Sequence, residues 1–302
     1  MRTYLGTWQT SPSDGFWTDQ NIPDSKAVIS AAVRLGIRGF DTARSYGKGR
    51  AEQTLSKVLR RFTDIPFSVD TKIMPSAKNP SEILQASLSR LAPLKVDCLY
   101  LHWPKSGFDN LSFLHRMEAL KESGKIRKLG VCNIPLDMLK SFVSSGLHID
   151  RIQRPVSLLW TRELGETMEF CRANGIGVAA YSPTGMGLLS GKYRSPEDLR
   201  DARAGLFCFH EKCIGAYHDL LDLIQETARN NGAECTDVTL SWVKAQNPDI
   251  VLLGARNVGQ LEQNLSSRLE LTKRELSDLS AAAALLDKAG RDVCDNIFSY
   301  RW

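Results

Sequence analysis

Short β-rich runs alternate with longer amphipathic runs along almost the whole chain, and this beat restricts the fold more than any other feature of the sequence. Tyr4 to Trp8 precedes a helix over Ser25 to Leu35, and Gly39 to Thr42 precedes one over Ala51 to Arg61. Phe67 to Lys72 leads to Pro80 to Leu91, and Asp97 to His102 to Leu111 to Ser123. Lys128 to Cys132 is followed by a helix from Pro135, Ile149 to Gln153 by Glu163 to Ala173, and Gly177 to Tyr181 by a long loop and the helix Tyr217 to Asn230. An extra helix over Thr236 to Gln246 precedes the last strand, Ile250 to Leu253, which feeds a helix from Val258; Lys273 to Lys288 is appended at the end. Eight strands, each followed by a helix, predict an α/β fold: a (β/α)8 TIM barrel with an extra helix before strand 8 and a C-terminal helix. An open doubly wound sheet fits less well, because no GxGxxG follows the first strand. Gly36, Gly124 and Asn174-Gly175 stand where helices need a left-handed residue to stop. No linker interrupts the beat, so residues 1–302 are expected to form one domain.

Composition excludes several classes of function. With 42% hydrophobic and 24% charged residues the chain has enough apolar material for a large core, and a net charge of +5 is modest. Lys125, Arg127 and Lys128 form the densest basic cluster and read as a solvated turn, so no nucleic-acid partner is expected. No apolar stretch reaches the ~18 residues of a membrane span, and the N-terminus lacks the pattern of a signal peptide. The seven cysteines are scattered with no CxxC pair, which fits a reducing, cytoplasmic setting and makes the sequons at Asn110 and Asn264 accidental. Cys208-x-His210-x-x-Cys213 lacks a fourth ligand at suitable spacing, so no metal is expected. Monomer is the default, since no heptad or sustained exposed apolar pattern appears.

In such a barrel chemistry sits at the C-terminal ends of the strands. Asp41 closes strand 2, Tyr46 follows in the next loop, Lys72 closes strand 3 and His102 closes strand 4. Alone, each has an ordinary structural explanation. Together, four titratable side chains converging from three consecutive strands point to a catalytic site. Hydride reduction of a carbonyl leaves an alkoxide, which needs a proton donor beside it. Tyr46 would be that donor, with the Lys72 ammonium lowering its pKa, Asp41 holding Lys72 charged, and His102 donating a hydrogen bond to the carbonyl oxygen.

Gly39-Phe40-Asp41-Thr42-Ala43-Arg44-Ser45-Tyr46-Gly47, Thr71-Lys72 and Leu101-His102 resemble the signature segments of the aldo-keto reductase superfamily, and the resemblance covers nearly the whole chain. It implies a bound nicotinamide cofactor. Gly130-Val131-Cys132-Asn133 resembles the segment whose Asn holds the nicotinamide carboxamide, with Gln153 as its partner. Tyr181-Ser182-Pro183 resembles the motif whose Tyr stacks on the nicotinamide ring, and Thr184 with Gly187-Leu188-Leu189-Ser190-Gly191-Lys192 resembles the loop around the pyrophosphate. Gly6, Thr7 and Trp8 at the end of the first strand, with Asp41, are assigned to the cofactor by the same resemblance. Gly254-Ala255-Arg256 with Gln260, Gln263 and Asn264 resembles the region around the adenosine and its 2′-phosphate. A helix N-terminus and the charged fork of Arg256 suit a phosphate on physical grounds too, so NADPH is expected over NADH.

The sequence departs from the family pattern in places. Cys132 stands where Ser is usual, Gly254 where some members carry a phosphate-binding Lys, and Gln263 where Glu is common. The chain begins almost at strand 1, so the N-terminal hairpin that plugs the barrel bottom in this family is expected to be short. Aromatic residues in the loops after the strands, Trp8, Trp17, Trp103, Phe108 and Trp160, are candidates for the substrate wall, and Phe298 to Trp302 for a cover over the mouth. The substrate residues expected are Trp8, Trp17, Tyr46, His102 and Trp103. The resulting expectation is NADPH-dependent reduction of an aldehyde or ketone, a small-molecule carbonyl substrate of aromatic or sugar-like character. An NAD-dependent sugar or alcohol dehydrogenase and a non-catalytic cofactor-binding subunit are the alternatives.

Overall fold

The computed structural model describes residues 1–11 and 15–298, so the expected cover formed by Ser299 to Trp302 lies outside the described residues. Strands and helices alternate in the order β1 (Arg2–Gly6), α1 (Ile22–Arg34), β2 (Gly39–Asp41), α2 (Arg50–Leu59), β3 (Ser68–Ile73), α3 (Pro80–Leu91), β4 (Val96–Leu101), α4 (Asn110–Glu122), β5 (Lys128–Cys132), α5 (Leu136–Ser144), β6 (Arg151–Pro155), α6 (Leu164–Ala173), β7 (Gly177–Tyr181), α7 (Ile214–Asn230), α8 (Cys235–Ala245), β8 (Ile250–Leu253), α9 (Val258–Ser266) and α10 (Lys273–Gly290). The eight strands are parallel and close into a barrel, with β1 pairing β8. This is the (β/α)8 architecture read from the sequence, with α8 inserted before β8 and α10 appended. Among the described residues no helix is long and apolar enough to cross a membrane.

Local chemistry explains the boundaries, including those that differ from the sequence reading. β1 starts and ends two residues earlier than expected, because Thr7 turns out of the ladder and both its N–H and its hydroxyl donate to the Asp41 carbonyl at 2.9 Å. α1 starts at Ile22 because Asn21 caps it, its side chain accepting from the Asp24 N–H at 2.8 Å with Pro23 in the first turn. β6 begins only at Arg151, since the Asp150 carboxylate accepts from the Leu129 N–H and pairs with Lys121 at the barrel's N-terminal rim. Gly36, Gly124 and Gly175 have φ of +89°, +72° and +66°, the left-handed geometry that ends α1, α4 and α6.

Residue alternation along the strands divides the barrel into two environments. Leu5, Phe40, Val69, Leu99, Leu101, Val131 and Ile152 point outward and pack under the helices as one apolar cluster. A second cluster joins α7, α8 and α10 to the later strands through Tyr217, Leu220, Trp242, Leu279 and Leu286. Inside the barrel the side chains are largely polar. Arg151 on β6 pairs with Asp70 on β3 at 2.6 Å, and the Tyr100 hydroxyl lies 3.2 Å from the same guanidinium nitrogen. Burial raises Asp70 to about 7, with Arg151 pulling the other way. Two tyrosine rings fill the rest by lying against glycines: a Cβ on Gly39 would run into the Tyr4 ring, and one on Gly130 into the Tyr100 ring. Gly39→Ala is therefore expected to destabilise the protein by about 1–3 kcal/mol through overpacking, read as a lower urea midpoint at unchanged slope.

Candidate active site

The strand ends deliver their polar side chains to one floor. Lys72, at the end of β3, is fully buried; its ammonium donates to Asp41 Oδ1 at 2.6 Å, to the Thr42 carbonyl at 2.8 Å and to the Tyr46 hydroxyl at 3.2 Å. Asp41's other oxygen accepts from Gln153 Nε2 at 2.8 Å, so both its oxygens are held. Burial is the largest single influence on Lys72 and works against its charge, but the Asp41 carboxylate and its hydrogen bond, together with Tyr46 and Cys132, hold the ammonium above the ordinary lysine range. Tyr46 behaves differently from the sequence expectation. Lys72 does favour its phenolate, yet burial is the larger effect and the hydroxyl is raised to about 12. His102 is pushed well below the ordinary histidine range, first by burial and then by the Lys72 charge, so its imidazole is neutral. Its ring meets the Tyr46 ring edge-on at 5.8 Å, and Ser45 Oγ stands 3.3 Å from Nδ1. Where Ser45 donates to Nδ1, the ring proton sits on Nε2.

A cavity of about 420 Å³ rises from this floor to the rim. Asp41, Tyr46, His102, Asn133, Gln153 and Tyr181 line its base. Asn133 and Ser182, directly after β5 and β7, take left-handed φ of +57° and +51°, which turns the chain sharply at the cavity wall. The Asn133 amide donates to the His102 carbonyl at 2.9 Å and accepts from the Tyr181 hydroxyl at 2.6 Å. Cys132 Sγ accepts from Asn133 Nδ2 at 3.1 Å and donates to Gln153 Oε1 at 3.7 Å. Along one side lie Ser182, Thr184, Gly187 and Lys192; along the other lie Gly6, Gly254, Ala255, Arg256, Gln260, Gln263 and Asn264. A Cβ at Gly254 would meet the amide end of the Gln9 side chain, which would have to move aside. At the entrance to α9 the Arg256 N–H is taken by Gln260 Oε1 and the Gln260 N–H by Asn257 Oδ1, both at 2.9 Å.

Some of the residues singled out from sequence lie elsewhere. Lys72 sits beneath the cavity and reaches it through Tyr46, while Thr7, Leu188 and Gly191 fall outside the lining: Thr7 and Leu188 are fully buried, and Gly191 packs toward Gln225. Of the five loop aromatics, Trp8, Trp17 and Trp103 line the cavity. Phe108 instead meets Phe113 edge-on, and Trp160 packs on Phe207 with the Arg162 guanidinium 4.5 Å from its ring. Phe298 from the C-terminal segment does reach the mouth, where it meets Trp8 and Trp103 at 5.6 Å and lies nearly parallel to Tyr181 at 6.3 Å. Sequence reasoning missed Phe16, Met74, Ser45, Tyr193 and Arg203. Arg203 is buried with its guanidinium bound by Asp201 at 2.8 Å and placed 4.9 Å from the Trp17 ring and 5.3 Å from the Tyr193 ring. Among the described residues no group of three or more His, Cys, Asp or Glu gathers to hold a metal; Cys208 and Cys213 are buried in the apolar cluster beside α7.

The sequence pattern of the aldo/keto reductase family matches residues 3–284. The chain belongs to the aldo/keto reductase family. It is 27% identical to an NADH-specific methylglyoxal reductase of Escherichia coli, over 92% of this chain and 94% of that protein. It is 25% identical to a probable aldo-keto reductase of Glycine max, over 92% and 85%. Its fold matches the solved structure of a glycerol dehydrogenase from Gluconobacter oxydans with a TM-score of 0.77 at 26% identity, over 94% of this chain and 91% of that one. An aldo/keto reductase from Klebsiella pneumoniae, solved in complex with NADP and acetate, shares the fold at a TM-score of 0.69 and 23% identity. As an aldo/keto reductase the chain is an oxidoreductase of carbonyl compounds that works with a nicotinamide cofactor.

The residues at the cavity fit that group. Two amide side chains and a tyrosine ring stand at the base, where a flat ring with a carboxamide needs them, and three cations, Lys192, Arg203 and Arg256, line the walls where a dinucleotide carries phosphate. Below them the Lys72–Asp41 pair is the most exacting part of the site. Asp41→Asn strands a buried ammonium and is expected to lower stability by about 3–5 kcal/mol, whereas adding Lys72→Met should restore part of the loss; the two denaturation midpoints check this.

Proposed function

We propose that this protein reduces an aldehyde or ketone with NADPH, Tyr46 acting as general acid. The supporting observation is the chain of contacts Gln153–Asp41–Lys72–Tyr46, which ends on a hydroxyl at the base of the cavity. The cofactor supplies the hydride. Tyr46 keeps its proton until about 12, so throughout the neutral range the hydroxyl is a donor in place before the reaction begins. Lys72 stands 3.2 Å from that oxygen and stabilises negative charge as it builds when the proton leaves. Asp41 holds Lys72 in place and charged, and Gln153 holds Asp41. His102, neutral and oriented by Ser45, donates one hydrogen bond to the carbonyl oxygen without adding a second cation beside Lys72.

Asn133, Tyr181 and Gln153 would hold the nicotinamide end, Lys192 and the turn around Gly187 the pyrophosphate, and Arg256 with Gln260, Gln263 and Asn264 the adenosine and its 2′-phosphate. Trp8, Phe16, Trp103 and Phe298 form an aromatic wall over Tyr46 and His102, which suits a carbonyl compound with an apolar or flat face. Action on an alcohol with NAD is the second reading, motivated by the likeness to the glycerol dehydrogenase.

Tyr46→Phe is expected to abolish turnover while cofactor affinity, followed by fluorescence titration, stays within about twofold; substantial residual turnover removes Tyr46 from its role. The pH profile follows from the signs. A raised Tyr46 remains the protonated acid until pH approaches 12, and a depressed His102 remains neutral above its own low value. Reductive kcat/KM is expected to stay flat between about pH 6.5 and pH 9, and an inflection near an ordinary histidine pKa would contradict it. Arg256→Ala should weaken NADPH by about 1.5–3 kcal/mol and leave NADH nearly unchanged in the same titration.

A further inference from the structure

The rim at Arg256 is bridged from the loop after β1, the strand paired with β8 in the barrel. The loop between β1 and α1 crosses to the turn after β8, and Asp19 Oδ2 lies 2.6 Å from Arg256 Nη2. Gln20 joins the same turn: its Nε2 donates to the Arg256 carbonyl at 3.0 Å, and its Oε1 accepts from Arg256 Nε at 3.4 Å. The guanidinium fork is therefore engaged before any nucleotide arrives. The side chains of α9 that line this part of the cavity, Gln260, Gln263 and Asn264, are uncharged; the cations that act on Asp19 are Arg256, its ion-pair partner, and more weakly Arg203. The Asp19 side chain is 67% exposed and that of Arg256 28%, so the pair is a solvent-side ion pair of the weak and exchangeable kind.

We propose that Asp19 sets the choice between NADPH and NADH, by holding the Arg256 fork and placing a carboxylate where the 2′-phosphate approaches. The inference rests on Arg256 as the partner of that phosphate, the reading given above. A ribose phosphate carries about −1.5 to −2 charges at neutral pH. It must either displace Asp19 from Arg256 or settle beside a like charge, and both cost affinity. A free 2′-hydroxyl is neutral and meets neither cost. Asp19 thus narrows the advantage that Arg256 alone gives to NADPH and keeps NADH usable in the same site.

The test is a fluorescence titration of NADPH and NADH against the wild type, Asp19→Asn, Arg256→Ala and the double variant, at low and at high salt. Asp19→Asn is expected to tighten NADPH by about two- to fivefold, the range of an exposed ion pair, and to leave NADH unchanged. The gain should shrink at high salt and vanish in the Arg256→Ala background. If Arg256→Ala weakens NADPH alone while Asp19→Asn gives no gain, or an equal gain for NADH, the role of Asp19 is overturned and that of Arg256 stands. If Arg256→Ala weakens both nucleotides equally, or neither, the phosphate assignment fails and Asp19's role falls with it.

Discussion

A lysine ammonium with no exposed surface, held between one carboxylate and one backbone carbonyl, is the constraint around which the upper half of this barrel is arranged. Burying such a charge is tolerable only with close compensation, and the compensation here draws on separate strands. β2 supplies Asp41, β3 supplies Lys72, and β6 supplies the Gln153 amide that takes Asp41's second oxygen. The same ammonium favours the Tyr46 phenolate and discourages a proton on His102. Burial keeps the proton on Tyr46 against that charge and keeps it off His102 with that charge's help, and the parallel barrel brings the contributing strand ends together.

The outer architecture was legible in the sequence because two periods alternate in it cleanly. Outward residues such as Val69, Leu99 and Val131 meet the helices, and the glycines after α1, α4 and α6 stop them where a left-handed residue is needed. Asp41, Lys72 and His102 were legible for the same reason, since residues at the C-terminal strand ends of a parallel barrel share one destination, and Tyr46 in the loop after β2 meets them there. Tyr46's proton affinity was not legible. Sequence gives the neighbouring charge but not the depth of the pocket, and burial proves the larger effect.

The long segment after β7 was the least readable part. It runs through short 3₁₀ turns at 185–190, 196–198, 202–205 and 207–209, with no sustained period to interpret. Arg203 within it looks like a surface residue, yet Asp201 and two aromatic rings make its burial possible. The loop aromatics divided for a related reason. Sequence puts Trp8, Trp103 and Trp160 after strands but cannot say which side of each loop faces the mouth; Trp160 turns away because Phe207 and Arg162 offer it a closer packing surface.

The two tyrosine rings lying against glycines do more than fill the barrel. Tyr100, Cys98 and Cys132 are essentially fully buried, and with Arg151 they pack the barrel interior around Lys72 and Asp70. The cavity at the Tyr46 hydroxyl opens at the C-terminal ends of the strands, whereas Arg151 lines a separate cavity at their N-terminal ends. A molecule entering the cavity at Tyr46 and one leaving it pass the same aromatic rim of Trp8, Trp103 and Phe298, so whatever closes that rim governs both.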